Sequence, residues 1–526
     1  MENILLISGM GGAYSIRSRD LDHTVFDRER GTEIIETYYT IKDKVFIPQN
    51  AYYGKGKKIP LLRRNISEYP PLVTRTLEHI LTSHAISYTS IPCDTMWRND
   101  KMPCEMDIVL LSTTFMWSEN MIHMAIEWVK QNVQYRYLVL GGQYGSLKHK
   151  TILDVYPEVD YMILGDGETA MPVLIRYLQG DSKMQLEDIP NLAFMEEGKI
   201  HYTKSLYENL EELPKITYEG HFDRLSYESV RGCAYNCAFC AWNAAAKKFR
   251  YKSAKKMIKD IKEYVEENGI SRIEINDSTL LFPHDRTEEL VEGLTRLGVH
   301  WKAHSRSDIP LNKALIKKLD NSKCDILQVG FESMSNRILE NMTKRNTAEQ
   351  NRRFNEAFRD SKIDIVASFM IGFPDETEEE FQDTANYIIY EHYGHFYLFV
   401  FEMEDKSMPL WKKREQYGLE LFQDAADCLH GGANWRHNGM NSLRANEIRE
   451  DFIRNSRLNA SYAILKSWQS PYEWPFVPEL SKLENLEIEK LIDQLVFVPV
   501  DYPEEIIRQK VLEIVETLEQ KGVYFI

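Results

Sequence analysis

The chain has 526 residues, 43% hydrophobic and 27% charged, ordinary globular values that give room for two or three cores and exclude a disordered or low-complexity protein. A formal net charge of -16 argues against a general nucleic-acid binder, which needs a basic stripe to displace phosphate counterions. The N-terminal "MENILLISGMGG" lacks the basic flank and small-residue cleavage site of an export signal, and no later segment has the apolar length of a membrane span, so a soluble cytoplasmic protein is expected.

In chain order, "NILLIS" (Asn3 to Ser8) is a buried strand entering a glycine turn. Residues 14 to 69 show no clear period and are expected to form a loop-rich insertion. Alternation then resumes. "LVTRTLEHIL" (Leu72 to Leu81) is a helix, "MDIVLLST" (Met106 to Thr113) a strand, "NMIHMAIEWVKQ" (Asn120 to Gln131) a helix, and "YLVLGG" (Tyr137 to Gly142) a strand. "YMILGDGE" (Tyr161 to Glu168) is a strand and turn, followed by the helix "AMPVLIRYL" (Ala170 to Leu178). Residues 1–187 therefore read as a doubly wound, Rossmann-like α/β domain whose ligand lies beyond the carboxyl ends of its strands. Residues 188–223 are short and proline-punctuated, and read as a linker.

A second series of six strands begins at Leu225, Ile270, Val299, Asp325, Ile363 and His395, with helices between them. Ser253 is the expected N-cap of the first helix and Gly269 its stop. Right-handed crossovers then curl residues 224–422 into a partial (β/α)6 barrel. Residues 423–526 are expected to form a small helical domain.

Between the first barrel strand and its helix lies "RGCAYNCAFCAW", which holds Cys233, Cys237 and Cys240 at the barrel mouth. Thiolates are soft ligands that suit zinc or iron-sulfur clusters, and three in one loop can hold three corners of a cubane. Structural zinc requires a fourth ligand, which the following "AWNAAAKKFRYKS" lacks; a remote residue such as His304 is the remaining route. Cys93, Cys104, Cys324 and Cys428 are scattered singly and read as small buried hydrophobes.

Cys233-x3-Cys237-x2-Cys240, with Phe239 before the last cysteine and the whole set after the first barrel strand, resembles the radical S-adenosyl-L-methionine (SAM) superfamily. The resemblance implies a 4Fe-4S cluster on these three cysteines, with the fourth iron chelated by SAM. One electron then cleaves SAM to methionine and a 5'-deoxyadenosyl radical, which abstracts hydrogen. "EINDSTLLF", "HSRSDI", "VGFESMSNRILENMTK" and "MIGFPDETEEEF" lie at later strand ends and are similar to one large branch of that superfamily. The same resemblance puts Arg306 and Glu332 near SAM, although each residue type also suits a structural salt bridge. In "GFPDET", Gly372 and Pro374 suit a turn, and Thr377 with Glu380 a capping box.

That branch has an N-terminal cobalamin-binding domain, which "DIVLLSTTF", "LVLGGQYG" and "VDYMILGDGETAMPVLIRYL" resemble. The implied cobalamin contacts are Ser112, Thr113 and Thr114 against the macrocycle, Gly141 and Gly142 beside the nucleotide tail, and the turn carrying Gly165, Gly167 and Glu168. Many cobalamin proteins carry Asp-x-His-x-x-Gly after the first strand; here His23 lacks that spacing, so cobalamin is expected with its own base displaced and no histidine below cobalt. "WRHNGMNSLRANEIR" resembles a segment of proteins related to phosphinate P-methyltransferases, in which Trp435 and His437 either face substrate or form a turn before a helix.

The implied activity is cobalamin-dependent methyl transfer to an unactivated carbon or phosphorus of a specialised small molecule or a peptide. It requires an external electron donor such as flavodoxin or ferredoxin, and no protein side chain is assigned as the catalytic group. A cyclase or rearrangement enzyme of the same branch is an alternative, as is a metal-stabilised binding module. A transfer-RNA methylthiotransferase would need three N-terminal cysteines and a terminal RNA-binding β-barrel, whereas only Cys93 and Cys104 precede the motif.

Overall fold

The computed structural model describes residues 3–9, 39–41, 44–46, 51–54, 56–59, 71–97, 99–102, 104–116, 118–181, 185–242, 246, 248–422, 434–466 and 474–525. His23 and Cys428 lie outside these residues. Two seven-stranded sheets organise the chain.

The first sheet runs, edge to edge, Lys199–Tyr202, Leu192–Glu196, Tyr161–Ile163, Val133–Gly141, Cys104–Ser112, Ile4–Ile7 and Thr89–Ile91. Its five inner and far-edge strands are parallel, and the two at the near edge are antiparallel. Apolar runs such as Ile108 to Leu111 arise because both faces are covered. Ile4, Leu6, Ile108 and Leu110 pack under helices Leu72–Ser83 and Ala170–Leu178, while Leu5, Ile7, Val109 and Leu111 pack under helix Glu119–Asn132. The sequence reading omitted helix Gln143–Val155 and the short edge strand Thr89–Ile91.

The linker reading of residues 188–223 is corrected at its start. Leu192–Glu196 and Lys199–Tyr202 form a hairpin that completes the first sheet, turning through Glu197 and Gly198, both at positive φ. Leu192 and Ala193 are buried, but the four-residue apolar run Leu192 to Met195, between Pro190 and a polar turn, has no alternation that would mark a strand in sequence.

The second sheet is parallel throughout: Arg224–Tyr227, Arg272–Ile275, His300–Arg306, Cys324–Glu332, Asp364–Ile371, Gly394–Val400 and Ala463–Leu465. The six expected strands are present and the order is linear, which makes an open, partial barrel. Ser253 caps helix Ala254–Asn268 by accepting from the Lys256 N–H, and Thr377 with Glu380 forms a full capping box on helix Glu378–Tyr390.

The C-terminal region has the expected helices, Ser442–Asn459, Lys482–Asp501 and Glu504–Gln520, but it is not a separate body. Ala463–Leu465 supplies the seventh strand of the second sheet. At the closed end of the barrel His395 is fully buried, its Nδ1 2.7 Å from Asp364 Oδ2 and its Nε2 2.9 Å from Glu489 Oε1 of the C-terminal helices. Part of the N-terminal insertion belongs here too, because Ala51–Tyr53 pairs antiparallel with Val523–Phe525, and Ala51 and Ile59 pack against Trp474 and Val523. Residues 51–59 are therefore a correction to the 1–187 boundary; their partners lie more than 400 residues away, beyond any local pattern. Among the described residues no helix is long and apolar enough to cross a membrane.

Candidate functional site

The cysteine loop hangs from a small hairpin in which Val230–Arg231 pairs with Arg250–Tyr251. Asp277, at the end of the second barrel strand, anchors its entry by accepting from the N–H groups of Ser229 (2.6 Å) and Val230 (2.8 Å) and from the Ser229 hydroxyl. Burial pushes the Asp277 carboxyl up to about 6, with these donors opposing the shift. Ser278 Oγ donates to the Gly232 carbonyl at 2.6 Å. A Cβ at Gly232 would lie 2.5 Å from the Lys248 carbonyl, so the two arms of the loop meet directly before Cys233.

Cys237 is buried; Cys233 and Cys240 are half-buried. The segment after the fourth barrel strand supports them through the Ala238 N–H, which donates to the Met342 carbonyl at 2.8 Å. Arg306 Nη1 lies 3.9 Å from Cys237 Sγ, and its guanidinium covers the Tyr235 ring at 3.7 Å. Asp308 grips the other side of that guanidinium at 2.8 and 2.9 Å, and Nη2 also donates to the Lys344 carbonyl. Glu332 accepts from Lys344 Nζ at 2.7 Å. Burial alone lowers the Lys344 pKa, but Glu332 and Cys237 more than reverse it, so the ammonium is retained. Gly330 makes the pair possible: a Cβ there would fall 2.2 Å from Glu332 Oε1 and 2.6 Å from Lys344 Nζ. Arg306 and Glu332 thus gather beside the cysteines, and Lys344, which the sequence reading missed, joins them.

Three thiols with two cations close by suit a cluster whose thiolate ligands make it anionic. Among the described residues no three His, Cys, Asp or Glu side chains converge on one ion. His304, the remote ligand considered for zinc, is half-buried with its Nδ1 3.1 Å from the Asp277 carbonyl, and desolvation lowers its pKa.

A cavity of about 850 Å³ joins the two sheets. On the N-terminal side it is lined by Ser112, Thr114, Gly141, Gly142, Gly165 and Glu168, with Gly167 beside them. On the barrel side it reaches Arg231, Gly232, Trp242, Glu274 and Asn276. An apolar arm extends between the sheet and helix Leu72–Ser83 past Leu77, Ile80 and Val139. Gly142 has φ +102 and a Cβ there would lie 2.8 Å from Thr114, so glycine is required. At Gly165 a Cβ would meet nothing within 4 Å, and at Gly167 only Ile163 at 3.9 Å. Small residues thus leave open space at these strand ends. Buried Glu168 Oε2 and Trp242 Nε1 are left without partners on the cavity walls, which suits a ligand with a polar rim. The cobalamin expectation fits these residues.

One expected contact is corrected, and a second is shared with an ion pair. Thr113 does not line the cavity; its hydroxyl donates to the Gly141 carbonyl at 2.7 Å and accepts from the Gly145 N–H at 2.8 Å, tying neighbouring elements together. Glu168 lines the cavity but is committed to Arg231 Nη2 at 2.6 Å. The same arginine reaches Asp166 at 3.0 Å and Glu228 at 2.8 Å, and Asp166 also pairs with Arg250. The Gly165-to-Glu168 turn is therefore locked electrostatically to the hairpin that carries the cysteine loop. Sequence spacing could not reveal this, since Arg231 and Asp166 are 65 residues apart.

The Trp435 and His437 alternatives resolve toward structure. Trp435 is 2% exposed and donates to the Phe401 carbonyl at 2.8 Å, and His437 stacks on it at 4.9 Å. His437 Nδ1 accepts from the Asp375 N–H at 3.1 Å, and its Nε2 lies 3.1 Å from the Gly372 carbonyl, so it clamps the "GFPDET" turn.

Residues 227–388 match the Radical SAM superfamily. An uncharacterized methyltransferase of Pyrococcus horikoshii is 28% identical over 273 residues, covering 49% of this chain and 58% of that protein. Bacteriochlorophyllide d C-12(1)-methyltransferase of Chlorobaculum tepidum is 28% identical over 252 residues, covering 47% and 54%. The chain thus spans about half the length of these curated relatives. Over 99% of this chain and 100% of the other, the fold matches the radical S-adenosylmethionine methyltransferase TsrM from Kitasatospora setae, solved with cobalamin and a [4Fe-4S] cluster, at a TM-score of 0.61 and 11% identity.

Proposed function

Because residues 227–388 match the radical SAM superfamily, we propose that this protein is a cobalamin-dependent radical SAM methyltransferase acting on an unactivated carbon or phosphorus of a specialised small molecule or a peptide. The observation that carries the reading is the cavity itself, which runs from the glycine-lined strand ends of the first sheet to Gly232, the residue before Cys233. A ligand on the first sheet and one on the cysteines would face each other across it.

Cys233, Cys237 and Cys240 would hold the 4Fe-4S cluster, and the cavity-lining glycines would admit cobalamin. When bound, the cluster with SAM supplies a carbon-centred radical and cobalamin supplies the methyl group. The chain's own residues orient and neutralise. Arg306 lies where its positive charge offsets thiolate charge at Cys237. Glu332, fixed by Lys344, offers a carboxylate oxygen toward SAM's amino group or sugar hydroxyls. Arg231, with Asp166 and Glu168, fixes the separation of the two ligand sites.

The methylthiotransferase alternative is disfavoured. Those enzymes would need three cysteines before the motif for a second cluster, and here only Cys93 and Cys104 precede it, with Cys93 buried. Anaerobic reconstitution followed by incubation with methyl-labelled SAM tests the reading. Iron and sulfide bound, 5'-deoxyadenosine formed and label in a product are expected; 5'-deoxyadenosine without methylated product would favour a cyclase or rearrangement enzyme.

A further inference from the structure

We infer that the exposed face carrying Lys248, Tyr251, Lys255 and Lys259 is a docking surface for a small acidic one-electron carrier protein. This rests on the proposed iron-sulfur cluster and adds to it the route by which the cluster is reduced. Residues 247 to 262, "KKFRYKSAKKMIKDIK", have lysine or arginine at half their positions and a single acid, Asp260, in a chain where 80 acidic residues outweigh 64 basic ones. The charge is thus concentrated against the trend of the whole molecule.

Its location is specific. The Lys248 carbonyl abuts Gly232, next to Cys233, and the Lys252 N–H donates to the Ser229 carbonyl at 2.8 Å. The segment is therefore the outer wall of the cysteine loop. Helix Ala254–Asn268 buries Met257, Ile261 and Tyr264 in the barrel core, which turns Lys255, Lys259 and Lys262 outward at helical spacing. The Lys259 and Lys262 side chains are 74% and 62% exposed. Glu263 and Glu266 lie 3.9 and 3.5 Å from these two lysines, whereas Lys255 has no ion pair among the described residues. Near the cysteines Arg250 is paired with Asp166 and Lys256 lies 3.7 Å from Asp260, while Glu211 accepts from Ser253, so the free positive charge of the face lies on the outward lysines. Tyr251, 43% exposed, gives the patch an aromatic centre, and Lys248 lies over the Tyr207 ring at 5.6 Å.

Each reductive cleavage of SAM needs one electron, which a protein carrier of the flavodoxin class can give up while it is oxidised by one electron. No bond or proton changes at the patch. An acidic carrier is drawn to such a surface by long-range attraction, and redox encounters use small, weak interfaces of this kind.

The test is fluorescence anisotropy with labelled flavodoxin, which reads binding whether or not the cluster is loaded, together with stopped-flow reduction of the loaded protein. Lys255→Glu/Lys259→Glu is compared with a control reversal, Lys313→Glu/Lys317→Glu, on helix Lys313–Asn321. The patch variant should bind about tenfold or more weakly at low salt and lose the salt sensitivity of the wild type. Its reduction by flavodoxin should slow in parallel, while its iron content and its reduction by dithionite stay unchanged. Wild-type binding and rate in the patch variant, or equal weakening in the control, would overturn the docking surface. A wild type without bound iron would count instead against the proposed function.

Discussion

The N-terminal sheet and the barrel sheet present different materials to the cavity between them. The first offers glycine, serine and open volume at its strand ends; the second offers paired carboxylates and guanidinium groups next to the cysteine loop, with Arg224 and Lys302 both bound to Glu274 at 2.9 and 2.8 Å. One region works by what it leaves out and the other by the charges it places. Substitutions should therefore fail differently on the two sides: removing groups should disable the barrel, and adding atoms should disable the N-terminal sheet.

The largest effects belong to the cysteines. Cys233→Ala, Cys237→Ala and Cys240→Ala should each lose the cluster and reduce 5'-deoxyadenosine formation by more than about 100-fold, because each removes one of only three thiolate ligands. Cys324→Ala should keep its iron, since Cys324 is buried in the barrel core with its thiol pKa raised. Iron and sulfide analysis beside the nucleoside assay checks both.

On the joint between the regions, Arg231→Gln leaves Asp166, Glu168 and Glu228 facing one another without their shared cation. Breaking a buried pair typically costs about 3–5 kcal/mol, partly recovered here because Arg250 still meets Asp166. Chemical denaturation should show the loss, and Asp166→Asn should cost less. Equal stability of Arg231→Gln and wild type would show that the lock is not what joins the sheets.

On the N-terminal side, Gly167→Val adds atoms to the cavity wall at a position whose φ is not in the left-handed region and whose nearest neighbour is 3.9 Å away. Cobalamin affinity should fall about tenfold or more while the unfolding temperature hardly moves; a titration followed by visible absorbance reads the first. A further effect concerns pH. Burial pushes the Glu376 carboxyl up to about 8 from an ordinary 4.5. The folded state therefore keeps a proton that the unfolded chain releases, and stability should fall as pH rises from about 4.5 to 8 and then level off. Glu376→Gln should flatten that slope in thermal unfolding.

The same contrast governs what the sequence disclosed. Three cysteines in eight positions declare their chemistry, and the apolar runs at Ile108 to Leu111 and at Ile363 to Ile371 declare buried strands, because both signals are local. The glycines at 141, 142, 165 and 167 all line one cavity, since backbone room is itself a local property. What stayed hidden depends on distant partners. The Thr113 hydroxyl is spent on Gly141 and Gly145, Glu168 on Arg231, and Ala51–Tyr53 finds its strand partner at the far end of the chain. Trp435 and His437 looked like substrate groups because aromatic and imidazole side chains serve equally well as packing and as chemistry.

The central claim, that cobalamin sits in the shared cavity opposite the cysteine-held cluster with no nitrogen ligand below its metal, is tested most directly by electron paramagnetic resonance of the cobalt(II) form after anaerobic reconstitution with cobalamin. The account predicts a protein-bound cobalt signal without nitrogen superhyperfine splitting, a signal that weakens in Gly167→Val. Splitting from an imidazole or from cobalamin's own base, or no bound cobalt at all, would contradict it.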